Sequence, residues 1–210
     1  IAMLDMVHVS RHPIVLDKVT RLRDKNTEPK LFRELVADLS HLLFIEASHD
    51  LKLAEHVVET PLAECQGHIL CERIGLFPIL RAGLGMADAI LNFVPTAHVW
   101  HLGIYRDHAT HKPVTYYNKM PEKADLDVAI VLDPMLATGG SASAVLEILK
   151  QREVKRIKFL GLIAAPEGVR VLREMFPDVP IYLAALDDHL NKDKYIVPGL
   201  GDAGDRQFAT

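Results

Sequence analysis

Between residues 128 and 143 the chain reads VAIVLDPMLATGGSAS, and these residue types in this order suit an anion. An apolar run ends in Asp133, a loop of small residues follows, and a helical pattern opens near Ser141. Gly139 and Gly140 let the backbone approach a phosphate closely, and Thr138 and Ser141 add hydroxyl donors. The helix that follows offers unpaired N–H groups and the positive end of its dipole. A nucleoside triphosphate loop of the G-x-x-x-x-G-K-[ST] kind does not fit, because Ser141 follows Gly140 where that loop needs lysine. A single phosphate with a sugar beyond it fits better, with Asp133 as acceptor for sugar hydroxyls. The plain alternative is a strand-to-helix turn whose small residues serve tight packing.

Two further stretches carry comparable chemistry. FPILRAGLGM, residues 77–86, sets Arg81 at the end of an apolar run, where a guanidinium can fork onto a phosphate or pyrophosphate. Its plain reading is a surface arginine beside a turn. YIVPGLGDAGDR, residues 195–206, contains G-x-G-x-x-G at Gly199, Gly201 and Gly204. Six residues remain after Gly204, too few for the helix and the distant acid of a dinucleotide fold. What is left is a tight loop with Asp202 and Asp205, able to read the edges of a flat heterocycle through its own N–H and C=O groups. Ile196, Val197 and Leu200 argue that it packs onto something rather than trailing as a surface tail.

The elements that must hold these stretches follow from periodicity. Leu31, Leu35, Leu39 and Leu42, with Phe32, Val36 and Leu43 beside them, recur at helical spacing after Pro29, and residues 12–24 form a shorter helix before them. Strands are expected over 75–80, 97–105, 128–132, 157–164 and 179–186, with helices over 84–93, 141–151 and 168–176. That alternation predicts an α/β fold with a mostly parallel central sheet and flanking helices. The near-continuous apolar runs 128–132 and 158–164 belong to strands buried on both faces. Residues 111–119 read as an inserted hairpin, and 191–210 as a polar, glycine-rich tail. The expected organisation is one domain over 1–210: a helical N-terminal region of about 11–50, a flap of about 107–124 and a C-terminal base-binding segment of about 190–210.

Composition narrows the function classes. The 210 residues include 24 Lys and Arg against 28 Asp and Glu, a formal net charge of −4, which gives no global attraction to nucleic acid or anionic membranes. Apolar residues at 49% and charged ones at 25% are globular values that argue against disorder. The apolar runs fall short of the ~20 residues that span a bilayer, and no apolar block with a cleavage site marks the start. Two cysteines, Cys65 and Cys71, fit a reducing, cytoplasmic setting rather than a disulfide scaffold. The pairs His98/His101 and His108/His111 invite a metal, but a spacing of three in a strand divides each pair between faces and nothing completes a ligand set. The basic run 150–158 reads as a solvated helix end.

Taken together, PILRAGLGM, Tyr105–Arg106, DPMLATGGS, AAPEG at 164–168 and YIVPGLGDAGD resemble the signatures of the bacterial uracil phosphoribosyltransferase family, in its order and spacing over nearly the whole chain. The resemblance implies a type I phosphoribosyltransferase fold and the transfer of phosphoribosyl from phosphoribosyl pyrophosphate to uracil, giving UMP and diphosphate in pyrimidine salvage. It implies that Asp133, Pro134, Met135, Leu136, Ala137, Thr138, Gly139, Gly140 and Ser141 hold the ribose 5-phosphate part of the substrate. Arg81 and Arg106 would hold its pyrophosphate. Ile196, Gly201, Asp202 and Ala203 would hold uracil, largely through backbone, with Asp202 also facing the phosphoribosyl substrate. The catalytic set it implies is Arg81, Arg106 and Asp202, the last as nearest candidate for a general base. Many phosphoribosyltransferases carry two adjacent acids where this chain has Asp133 and Pro134, so Mg²⁺ is expected to ride on the pyrophosphate rather than in a protein cage. Thr115 to Lys119 resemble the family's flap. A homo-oligomer, dimer or tetramer, and a GTP effector are further implications.

Two other classes compete. An RNA-binding regulator on the same fold needs a basic stripe, which the net charge disfavours. A dinucleotide-dependent oxidoreductase is suggested by the C-terminal G-x-G-x-x-G, whose position removes most of its weight.

Overall fold

A computed structural model describes residues 6–106, 113–118, 120 and 125–210, with the backbone alone for 103–106 and 113–118. In chain order the elements are β1 (Val7–Val9), α1 (Pro13–Arg23), α2 (Pro29–Ser48), β2 (Leu53–Glu59), β3 (Glu64–Leu70), β4 (Ile74–Pro78), α3 (Leu84–Phe93), β5 (His98–Val99), β6 (Leu102–Arg106) and β7 (Pro113–Asn118). The second half holds β8 (Val128–Leu132), β9 (Met135–Leu136), α4 (Gly140–Gln151), β10 (Ile157–Ala164), α5 (Pro166–Met175), β11 (Ile181–Leu186), β12 (His189–Leu190), β13 (Ile196–Val197) and α6 (Ala203–Phe208).

The central sheet runs β1-β11-β10-β8-β4-β5, with β9 also beside β10, and every pairing in it is parallel. The expected α/β architecture is what forms. Alternation along β8 shows why its run is apolar throughout. Val128, Ile130 and Leu132 join a core with α1, α2 and α3, whereas Ala129 and Val131 join a second core with α4 and α5. All eight residues of β10 are buried for the same reason.

The N-terminal helices form where the period and the prolines place them. His12 caps α1 with its ring accepting from Ile14 N–H at 3.2 Å, and Pro13 and Pro29 sit in the first turns of α1 and α2. The buried face of α2 is Phe32, Leu35, Val36, Leu39 and Leu43, rotated from the leucine stripe expected; Leu31 is exposed. Phe32 lies under the Arg206 guanidinium of α6 and Val36 beside Gly85 of α3, so packing rather than leucine count decides the face.

Two expectations are corrected, and two further stretches gain elements the sequence did not mark. Residues 97–105 do not form one strand: β5 pairs with β4 in the central sheet, while β6 turns away to pair antiparallel with β7. Trp100 stands at the break, stacked on Phe77 with ring centroids 5.7 Å apart. The glycine-rich tail carries short elements, β13 pairing with β12 and α6 spanning Ala203–Phe208. The basic run is not all solvated: Lys158 is buried on β10, donating to Ala47 C=O and paired with Asp50. Finally, residues 51–73, which carry no clear signal, build an antiparallel hairpin of β2 and β3 that leaves Leu53, Val57, Val58, Leu62 and Ile69 exposed. Among the described residues no helix is long and apolar enough to cross a membrane.

Candidate active site

Parallel strands collect their carboxyl ends on one edge, and ligands bind outside that edge. Here β4 leads to Arg81, β8 to Asp133, β10 to α5, and β11 to Asp187. The Arg81 turn is pinned to β8 by Ile79 N–H on Leu132 C=O at 2.8 Å, so the first two glycine-containing stretches are neighbours.

Past Asp133 the chain folds back against β10. Pro134 C=O accepts from Ile163 N–H at 3.0 Å, and Leu136 C=O from Ala165 N–H at 2.9 Å. Pro134 and Leu136 are buried, so they shape the loop, and the residues from Ala137 to Ser141 face a pocket of about 90 Å³. Gly139 lies at φ +81°, and a Cβ there would stand 3.1 Å from Leu172 Cδ1 and 3.2 Å from Gly168 C=O. Only glycine meets both demands. The N-cap Gly139 has no side chain to cap α4, and the one side-chain contact on its first turn is long, Gly140 N–H donating to Thr138 Oγ1 at 3.5 Å, so this turn can turn its N–H groups to a ligand.

Asp133 is the charged group at the head of this loop. Burial pushes its carboxyl up to about 7, partly offset by the N–H of Met135 donating to Oδ1 at 3.1 Å. The loop beyond it adjoins a cavity of about 270 Å³ whose lining includes Arg81, Asp133, Ser141, Asp202 and Gly204. All three stretches singled out in the sequence therefore meet at one cleft.

Arg81 reaches across to the C-terminal segment, pairing with Asp205 at 3.0 Å and lying 5.8 Å over the Phe208 ring. Asp202 caps α6, its Oδ1 accepting from Asp205 N–H at 2.9 Å. Ile196 and Ala203 turn their side chains into the core, and Gly201 stands exposed at φ +82°. Backbone rather than side chain is what this segment can offer a base. Arg106 ends β6, with its side chain outside the described residues, as are His108, His111 and the tip of the flap. β6 and β7 pair antiparallel, so the hairpin here starts at Leu102, ahead of the expected 107, and its second arm is Pro113–Asn118. Among the described residues no group of three or more His, Cys, Asp or Glu could hold a metal ion.

A family model described as uracil phosphoribosyltransferase matches residues 9–210. The chain belongs to the uracil phosphoribosyltransferase family. A protein of that name from Roseiflexus castenholzii is 65% identical over 99% of this chain and its own full length. The solved structure of a protein from Aquifex aeolicus has a TM-score of 0.89 and 39% identity, covering 98% of this chain and 99% of that one. An APRTase from Giardia lamblia complexed with 9-deazaadenine matches at a TM-score of 0.51 with 16% identity, covering 73% of this chain and 80% of its own, a likeness of fold alone.

Within the uracil phosphoribosyltransferase family reading, sequence reasoning missed several residues that hold the cleft. Asp205 was noted only as an acid on the loop, yet it is the partner of Arg81. Gln207, 1% exposed, donates to Ala82 C=O at 2.9 Å and Ala203 C=O at 3.2 Å, fastening α6 to the Arg81 turn. Glu167 of AAPEG accepts from Leu190 N–H at 3.0 Å, which holds its carboxyl below the usual value and ties α5 to β12. Arg23, Asp187 and Arg206 are the others. Glu167, Asp205 and Arg206 lie inside stretches the sequence marks, but nothing local shows their roles, because each also works through a partner distant in sequence.

Proposed function

We propose that this protein transfers the phosphoribosyl group of phosphoribosyl pyrophosphate to uracil, giving UMP and diphosphate. The observation that carries the reading is the meeting of the loop before α4, Arg81 and the C-terminal segment, through Asp202 and Gly204, around one cavity. The amides of Thr138 to Ser141 and the dipole of α4 bind the 5-phosphate. Asp133 accepts from the ribose hydroxyls. Arg81, exchanging Asp205 for substrate, and Arg106 hold the pyrophosphate and stabilise the negative charge that grows there as its bond to the sugar breaks. The backbone of Ile196 and of residues 201–203 presents hydrogen-bonding edges to uracil, and a ring with cytosine's pattern leaves buried groups unpaired. Asp202 borders both substrates, its Oδ1 already committed to the α6 cap.

A lone Asp133 followed by Pro134, with no cluster of ligands among the described residues, suits Mg²⁺ carried in on the pyrophosphate. When bound, the ion adds positive charge at the leaving group. The flap over the cleft would exclude water from an intermediate prone to hydrolysis. The setting in this reading is the cytoplasm, supported by two free, exposed cysteines. It also includes a homo-oligomer, supported by the exposed apolar side chains of the β2–β3 hairpin. Leu62→Asp with Val57→Asp should then lower the mass found by light scattering, and an unchanged mass would remove the hairpin from the interface. Response to GTP is read by adding GTP to the assay below.

The deciding assay supplies phosphoribosyl pyrophosphate and Mg²⁺ with uracil, cytosine, hypoxanthine or orotate in turn. Nucleotide from uracil alone supports the whole reading. Nucleotide from another base keeps the phosphoribosyl site and overturns the role of residues 196–203. No product from any base refutes the activity.

A further inference from the structure

The base-facing segment has little regular structure of its own, since β13 spans two residues and α6 six. Both peptide groups of Gly199 are nevertheless taken by side chains. Its N–H donates to Asp187 Oδ2 at 2.9 Å, and its C=O accepts from Arg23 Nη1 at 2.7 Å. The same Arg23 nitrogen donates to Asp187 Oδ2 at 2.8 Å, and Nη2 pairs with Oδ1, so guanidinium, carboxylate and peptide close a ring. A Cβ on Gly199, which sits at φ +66°, would lie 2.1 Å from Ile196 C=O, so no other residue fits inside that ring. Asp187 is itself anchored, its N–H donating to Ala164 C=O at 2.8 Å at the end of β10.

A second guanidinium runs the opposite way. Arg206 of α6 donates to Leu200 C=O and Leu22 C=O, each at 2.8 Å, and to Asp24 C=O at 2.6 Å, with its centre 4.4 Å over the Phe32 ring. The loop is therefore gripped at two consecutive residues just ahead of 201, at Gly199 by an arginine from α1 and at Leu200 by an arginine that reaches the end of α1.

We propose that Arg23, Asp187 and Arg206 are positioning residues that set the backbone of residues 201–203 against uracil and so fix affinity for the base. This rests on the reading that the segment holds uracil. Packing alone does not call for these charges. Val15, Val19 and Leu22 already bury α1, and a buried ion pair is a weak way to gain stability compared with apolar filling. What the pair supplies is direction, because a fork onto a carboxylate and a carbonyl fixes where Gly199 stands. An uncharged ring told apart by hydrogen bonds is sensitive to sub-ångström displacement of its partners.

The test uses Arg23→Met with Asp187→Asn, which leaves no buried charge unpaired and keeps an oxygen for Gly199 N–H. A second variant, Arg23→Lys, keeps the charge beside Asp187 and loses the fork. Both should raise the KM for uracil tenfold or more, keep the KM for phosphoribosyl pyrophosphate within twofold, and lower kcat less than they raise uracil KM. Gly201→Ala, which disturbs the loop directly at φ +82°, separates the two levels of argument. Uracil KM that responds to Gly201→Ala and not to the clamp variants overturns this inference alone. Uracil KM that responds to none of them overturns the base-loop reading with it. A parallel rise of both KM values with a fall in Tm would make the clamp merely structural, which also overturns the inference.

Discussion

Asp133 joins the loop's stability to its chemistry, and replacing it by asparagine separates the two. In the unfolded chain its carboxyl titrates near 3.8, and burial at the end of β8 pushes it up to about 7. Between those values the folded protein holds a proton that the unfolded chain has released, so stability falls as pH rises through the window from about 4 to 7. At ~1.4 kcal/mol per pH unit the ceiling of that loss is about 4 kcal/mol. Asp133 keeps part of its surface open, where water screens the charge, so the expected loss is about 1–2 kcal/mol. Asp133→Asn abolishes the titration and keeps an oxygen for Met135 N–H. At pH 8 the substrate-free variant should be more stable than the parent by that amount, a Tm gain of about 2–8 °C for a chain of this size. The gap should close toward pH 4. Activity should move the other way, with KM for phosphoribosyl pyrophosphate raised tenfold or more, since an amide is a weaker acceptor for ribose hydroxyls than a carboxylate. Thermal melts of both proteins from pH 4 to 8 check the first half. A difference that does not change with pH, or a variant less stable at pH 8, would refute the reasoning.

Gly139→Ala should cost about 1–2 kcal/mol of stability, because it forces φ +81° on a residue with a Cβ, and steady-state kinetics should show the KM for phosphoribosyl pyrophosphate rising with little change for uracil. Arg106→Ala should lower kcat far more than it weakens uracil binding, because the guanidinium acts on the leaving group; weaker binding with kcat intact would remove it from the pyrophosphate. Lys158→Met should lose about 1–2 kcal/mol in urea melts at pH 7. Burial raises the Asp50 carboxyl, but Lys158 and Arg156 outweigh that and hold it below its usual value. A lowered carboxylate contributes stability above its unfolded value of 3.8, so this loss should shrink as pH falls below about 4.

How much of this was legible in the sequence depends on how local the cause is. The α4 phosphate loop was readable because strand, acid, glycines and helix start follow one another within sixteen residues, and the fold uses them in that order. The parallel sheet was readable for the same reason, each buried strand announcing itself by an unbroken apolar run. The break between β5 and β6 was not, because Trp100 and Leu102 are as apolar as a continuing strand, and only pairing with β7 draws β6 away. The hairpin of β2 and β3 was missed because neither of its faces is covered in the single chain, leaving no period of burial to detect.

The base segment is the instructive case. Its glycines were found, and their dinucleotide reading was rejected on position alone. What holds the loop in place, however, lies outside it: Asp187 is twelve residues before Gly199, and Arg23 is 176 residues away in sequence. Neither looks unusual where it stands, one an arginine in the last turn of a helix, the other an acid after a strand. A phosphate is satisfied by amides that a helix start supplies for nothing more than glycine and a turn. An uncharged ring needs amides and carbonyls at set positions, and a loop of two-residue strands cannot hold them unaided. The recognition that must discriminate most finely is therefore the one whose supports are drawn from the whole length of the chain, and they become visible only when the chain is folded.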